Sequence, residues 1–160
     1  MITFNPDEIF EMAEQIERNG ARFYRKAAES AGDESRSLLE ELAAMEDDHE
    51  KTFATMRAEL SGAEKRPITA DPDNESALYL RAMADGKVFA DDPSQRLTGG
   101  ESMADILTTA IGLEKDSIVF YESIKEFVTK NDAPKRIDGI IRQEIGHIVD
   151  LTGHLEALKK

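Results

Sequence analysis

The chain has 160 residues, 33 acidic against 20 basic side chains, a formal charge of −13 and no cysteine. That length suits one domain with a real core, and the acidic balance argues against nucleic acid or an anionic membrane as the main partner. Disulfides, thiol catalysis, thiolate zinc sites and iron–sulfur clusters are excluded by the lack of cysteine.

Met1-Ile2-Thr3-Phe4-Asn5-Pro6 does not read as a secretion signal, and no apolar run approaches the roughly 20 residues of a membrane span. A cytoplasmic protein is expected. Apolar residues recur every three or four positions over four long stretches, the helical period. The first runs from about Pro6 to Ala31, with Asn5 as cap, Pro6 at the first helical position and Glu8 able to reach back. Gly32 is expected to end it and Asp33 to cap a second helix reaching about Leu60. A third is expected from near Glu101, after Gly99-Gly100, to near Lys130. Asn131-Asp132-Ala133-Pro134 then turns the chain into a fourth that runs almost to the C-terminus. Strand signals are absent, so the reading is all-α.

Short connections make each helix pair an antiparallel hairpin, residues 6–60 and 101–158. Between them lies a crossover, residues 61–100, holding three of the five prolines and a short helical pattern from Asn74 to Met83. A connection that long can cross the full length of a bundle. The expected architecture is one domain over residues 1–160, a four-helix bundle with a single crossover carrying an extra helix.

The hairpins also repeat each other at key positions. Glu17 with Phe23-Tyr24 recurs 97 residues on as Glu114 with Phe120-Tyr121, and Glu46 with His49 recurs 98 residues on as Glu144 with His147. On the second helix the inward stripe reads Leu39, Leu42, Glu46, His49, Phe53, Met56. On the fourth it reads Ile137, Ile140, Glu144, His147, Leu151, Leu155. The first gives Ala13, Glu17, Gly20, Tyr24 and the third Leu107, Ala110, Glu114, Ser117, Tyr121. Every core stripe is interrupted near its middle by a carboxylate, and unpaired buried charge costs several kcal/mol.

Two divalent metals would balance four carboxylates, with two imidazoles as neutral ligands. A Glu from each of two helices plus Glu-x-x-His from each of the other two is the ligand pattern of di-iron and di-manganese bundles. The three-residue spacing puts Glu and His on one face, a turn apart, so that one can bridge while the other terminates on a single ion. The alternative is a bundle whose buried Glu and His merely pair with one another. Tyr24 and Tyr121 admit two readings: donors to ligand carboxylates, or core aromatics with hydroxyls near solvent. His154 reads as an ordinary, partly buried histidine; Glu11, Glu14, Asp47, Asp48 and Glu50 read as solvated face, with Glu14 near the site opening. Met12, Met45, Met56, Met83 and Met103 read as core packing.

These residues, Ile16-Glu17 with Phe23-Tyr24, Glu46-x-x-His49, Leu113-Glu114 with Phe120-Tyr121 and Glu144-x-x-His147, resemble the rubrerythrin branch of the ferritin-like superfamily over nearly the whole chain. The resemblance implies two iron ions, with manganese or zinc as substitutes. The ligands would be Glu17, Glu46, His49, Glu114, Glu144 and His147, with Glu46 and Glu144 bridging and Glu17 and Glu114 terminal. It implies an oxidoreductase acting on hydrogen peroxide or dioxygen in a cytoplasmic homodimer. Two features depart from the pattern. Many rubrerythrins carry a further Glu one turn after the third-helix ligand, where this chain has Ser117. These 160 residues hold none of the cysteines of a rubredoxin domain, so no such domain is expected, and electrons are expected from an external rubredoxin-like donor. The six-ligand set is similar to that of bacterioferritin-type ferroxidase centres, which makes iron handling the second reading. A metal-stabilised structural or interaction bundle is the third.

Overall fold

The computed structural model describes residues 3–63, 68–69, 78–80, 82, 92–128 and 132–159. Four long helices, α1 (Pro6–Glu29), α2 (Asp33–Ala58), α3 (Met103–Ile124) and α4 (Ala133–Ala157), form two hairpins, α1 on α2 and α3 on α4. The architecture is a ferritin-like four-helix bundle, all-α in class, with one small addition. Thr3–Phe4 pairs antiparallel with Ile68–Thr69, two residues a side. So short a ladder leaves no alternation to read in the sequence, which is why no strand was expected there.

Local chemistry sets the helix ends. Asn5 accepts from the Asp7 N–H at 2.9 Å while Glu8 accepts from the Asn5 N–H, completing the expected capping box. At the far end Arg36 donates to the Ala28 and Ala31 carbonyls at 3.2 and 3.1 Å, tying the start of α2 to the turn that ends α1. Four boundaries differ from expectation. Helix α1 stops at Glu29, and Gly32, not Asp33, holds the cap position of α2, without a side-chain bond. Helix α3 starts at Met103 because Ser102 and Asp105 form a second capping box. It ends at Ile124, short of Lys130, because the chain turns there and buries Phe127 and Val128 in the core.

Of the crossover, residues 78–80 and 82 are helical, as the pattern requires, and the remainder of Asn74–Met83 lies outside the described residues. Leu80 is fully buried against the bundle, whereas Leu78 is half exposed. A 3-10 turn, Pro93–Arg96, then lies on α1. Ion pairs join α1 to α2, Arg18 to Glu50 at 2.8 Å and Arg57 to Asp7 at 2.9 Å. Such pairs contribute about 0–1 kcal/mol each, so apolar packing dominates.

That packing comes in two clusters. One gathers Ile9, Phe10, Phe53, Met56, Phe120, Ile124, Ile137 and Ile140; the other gathers Phe23, Ala27, Leu39, Leu42, Ile106, Leu107 and Leu151. Along each helix the carboxylate that interrupts the stripe sits between its contributions to the two clusters. The core is thus two apolar lobes with a polar layer between them.

Candidate metal centre

All six interrupting residues meet in that layer. Glu17 and Glu144 are fully buried, and Glu46, His49, Glu114 and His147 are no more than 4% exposed. They form two overlapping groups: Glu17, Glu46, His49 and Glu144, and Glu46, Glu114, Glu144 and His147. Within each, one oxygen or nitrogen from every residue lies within 4.8 Å of the others. Glu46 and Glu144 belong to both. The two imidazoles lie nearly parallel, with ring centroids 5.7 Å apart.

Glu144 sits between the rings. Its Oε1 is 3.1 Å from His49 Nδ1 and its Oε2 is 2.8 Å from His147 Nδ1. Glu17 approaches His49 Nδ1 at 3.5 Å; Glu114 and Glu46 approach His147 Nδ1 at 3.4 and 3.5 Å. These are close approaches without hydrogen-bond alignment. Both Nδ1 atoms, both Glu144 oxygens, Glu17 Oε2 and Glu46 Oε1 are buried with no aligned partner. Buried polar atoms are rarely left so, and here they converge on shared space. An oxygen and nitrogen donor set of this kind fits divalent cations, and the two shared carboxylates fit a pair of them.

Without cations the same crowding displaces the ionisation equilibria. Burial pushes the Glu17 carboxyl well above the usual range, and the neighbouring Glu46 and Glu144 carboxylates add to it. Burial likewise raises Glu114, against the pull of His147 and with that of Glu144 and Glu46. For the rings burial works downward, yet Glu144 and Glu17 push His49 up to about 11. His147 is opposed by burial in the same way and is pushed up to about 12 by Glu114, Glu144 and Glu46. Burial would also raise Glu144, but the two imidazoles hold it down to about 2. The metal-free cluster therefore stores protons where ligand lone pairs would otherwise be.

Both tyrosines are buried donors. The Tyr24 hydroxyl donates to Glu114 and the Tyr121 hydroxyl to Glu17, each crossing from one hairpin to the other. Burial, then the facing carboxylate, raises both phenols well above their usual range, so they remain protonated. Of the two readings their positions allowed, the hydroxyl near solvent is not the one found.

Other expectations divide. His154 is half-buried and outside both groups. Glu14 is not solvated face: it is buried, with Arg18 and Arg57 each 3.5 Å away. Ser117 donates to the Leu113 carbonyl at 3.0 Å, back along its own helix. Two residues carry a structural part that the stripe reading missed. Gln143, on the exposed side of α4, places its Oε1 2.6 Å from His49 Nε2. Gly20 makes room, since a Cβ there would stand 2.9 Å from Glu46 Oε2. Gly20 and Ser117 also line a cavity of about 110 Å³ between α1 and α3, with Glu46, Glu114 and Tyr24 in its wall and Arg96 beside them. No described helix is long and apolar enough to cross a membrane.

Among solved structures the chain is similar to one from Thermotoga maritima described as a ferritin-like diiron-carboxylate protein. The TM-score is 0.72 at 23% sequence identity, covering 98% of this chain and 97% of the other. That likeness is one of fold. No curated protein matches the sequence significantly. The Rubrerythrin family model matches residues 8–155, spanning all four helices and all six converging residues, and the chain belongs to the rubrerythrin family.

Proposed function

We propose that the protein is a non-haem di-iron oxidoreductase that reduces hydrogen peroxide or dioxygen with electrons from an external, rubredoxin-like donor. The observation that carries this reading is the convergence of four carboxylates and two imidazoles, buried and unaligned with one another, into two groups sharing Glu46 and Glu144. In that reading Glu46 and Glu144 would be shared by the two ions, Glu17 and Glu114 would each serve one, and His49 and His147 would each offer Nδ1. When bound, the iron pair would supply one electron per ferrous ion and a Lewis-acidic seat for the oxidant. Tyr24 and Tyr121 hold the terminal carboxylates in place, and the two apolar lobes keep bulk water from the layer. Glu46 and Glu114 face the cavity, a passage suited to a molecule as small as peroxide. Manganese or zinc can substitute in such a donor set. The reading places the chain as a single working domain in a cytoplasmic homodimer, in keeping with its family.

The test is anaerobic titration of the metal-free protein with Fe(II), followed by rapid mixing with stoichiometric peroxide. Two irons bound per chain and loss of the ferrous signal within seconds are expected. A ferrous signal that persists for minutes overturns the peroxidase reading.

Ser117 favours a second reading, in which iron is the cargo. Its hydroxyl is turned to its own helix and offers no seventh carboxylate, leaving a six-ligand centre of the ferroxidase kind. Oxidation of many Fe(II) ions per chain by dioxygen, without added reductant, would support iron handling; arrest after two would support the oxidoreductase.

A further inference from the structure

Helices α2 and α4 are related by an offset of 98 residues, which pairs Glu46 with Glu144, His49 with His147 and Met45 with Gln143. The symmetry therefore breaks beside the two imidazoles. Gln143 Oε1 lies 2.6 Å from His49 Nε2. An amide oxygen only accepts, so this contact places a proton on Nε2 and makes Nδ1, which faces Glu144 and Glu17, the nitrogen that a cation would take once its own proton is displaced. A metal ligand needs that tautomer, and an outer acceptor both fixes the ring and makes it a better donor. His147 has no such support: its Nε2 is buried without a hydrogen-bond partner among the described residues. At the position matching Gln143 stands Met45, packed against an apolar lobe and without an oxygen to offer.

The cavity is one-sided in the opposite sense. It lies between α1 and α3 and reaches Glu114 and the shared Glu46, but none of Glu17, Glu144 and the two histidines lines it. Glu114 belongs only to the His147 group. One position is thus buttressed from outside by an amide, and the other opens toward the surface.

Building on the dinuclear reading, we propose that the two metal positions are unequal and that Gln143 is the positioning residue responsible. The Glu17–His49 position holds its ion more tightly; the Glu114–His147 position, open through the cavity, loads second and exchanges faster. Met45 and Gln143 set this difference, since the ligand residue types are the same in both halves.

The experiment is anaerobic Co(II) titration of the full chain, followed by absorption and calorimetry. The unaltered protein is expected to take two ions in two separable steps. Gln143→Met keeps the side chain's shape and removes the acceptor. It should weaken the tight step about 10- to 100-fold and leave the weak step in place. Gln143→Glu restores an acceptor and should restore the tight step. A second readout is the imidazole nitrogen spectrum of the Zn(II)-loaded chain, where His49 should carry its proton on Nε2. Two ions bound in steps that Gln143→Met leaves unchanged, or a His49 proton on Nδ1, overturns this proposal alone. Fewer than two ions bound by the unaltered chain removes the dinuclear reading and this proposal with it.

Discussion

Tyr24 on α1 donates its hydroxyl proton to Glu114 on α3, 90 residues away, and the pair is buried. The equivalent pair, Tyr121 and Glu17, runs in the other direction between the same two helices. The hairpins are therefore cross-linked at their polar layer by two phenols, each steadying a carboxylate that belongs to only one of the two groups. Replacing Tyr24 or Tyr121 by Phe leaves a buried carboxyl oxygen without its donor, which costs about 1–3 kcal/mol. Metal affinity should fall with it, about 10- to 100-fold as for other outer partners of ligands. Denaturant unfolding of the metal-free variants and Co(II) titration check the two effects separately. An unchanged affinity in both variants would make the tyrosines packing residues only.

Metal uptake should release protons. In the metal-free state Glu17 and Glu114 are held above the usual carboxyl range, and His49 and His147 are raised to about 11 and about 12. For the rings the sign is that of a group gaining a partner. Their stabilisation of the metal-free fold is complete below the ordinary imidazole value of 6.5 and fades as pH rises through about 11 and about 12. Cations compete for those same nitrogens, so apparent affinity should climb about tenfold per pH unit for each proton displaced. Weakly buffered titration with a pH indicator measures the release directly. An affinity flat between about pH 6 and pH 8 would contradict the protonated starting state.

The four helices and the six converging residues were legible in the sequence because both are periodic. Apolar stripes at helical spacing define the inward faces, and a charge inside such a stripe stands out from any solvated position. Gln143 gave no such signal. It lies off the stripe, on an exposed face where a polar residue is unremarkable, and only the fold brings His49 against it from 94 residues away. Gly20 was legible as an inward position but not as a space reserved for Glu46, because that depends on how closely α1 approaches α2. The two ends of α3 differ from expectation for different reasons, one local and one set by the core. Ser102 and Asp105 cap each other locally, and Phe127 turns inward because the core accepts it.

Bridging makes a prediction about stoichiometry. Glu46 and Glu144 belong to both groups, whereas His49 and His147 belong to one each. Alanine at either shared carboxylate should abolish binding of both ions, and alanine at either histidine should mainly affect one. Metal analysis after equilibration with limiting and excess Fe(II) distinguishes them. Retention of one tightly held ion by Glu46→Ala or Glu144→Ala would remove the bridging assignment.

Glu101 sets an acid limit for the approach to α3. The Thr98 N–H and hydroxyl donate to it at 2.9 and 2.7 Å and the Gly99 N–H at 3.0 Å. Those bonds, the Thr98 N–H first, hold its carboxyl down to about 2 from an ordinary 4.5. A depressed carboxyl stabilises the fold above its unfolded value, and that contribution is lost as pH falls from 4.5 through about 2. Glu101→Gln should flatten this part of the acid unfolding profile while leaving metal binding untouched. An unchanged slope would mean that the turn also forms without the charge.

Gly20 separates the needs of the fold from those of the metal layer. It lies inside α1, where Gly is about 1 kcal/mol less favourable than Ala, so the fold alone would prefer Ala. The Cβ of Ala would stand 2.9 Å from Glu46 Oε2, the far end of a flexible side chain. In the metal-free protein Glu46 can swing aside, and Gly20→Ala should be neutral or stabilising by up to about 1 kcal/mol. With cations bound, a bridging Glu46 cannot move without loosening both ions. The same substitution should therefore lower metal affinity and shrink the rise in melting temperature on Fe(II) addition. Opposite signs for the two states would identify Gly20 as space kept for the ligand. Equal stabilisation with and without metal would show that Glu46 is not fixed by the ions at all.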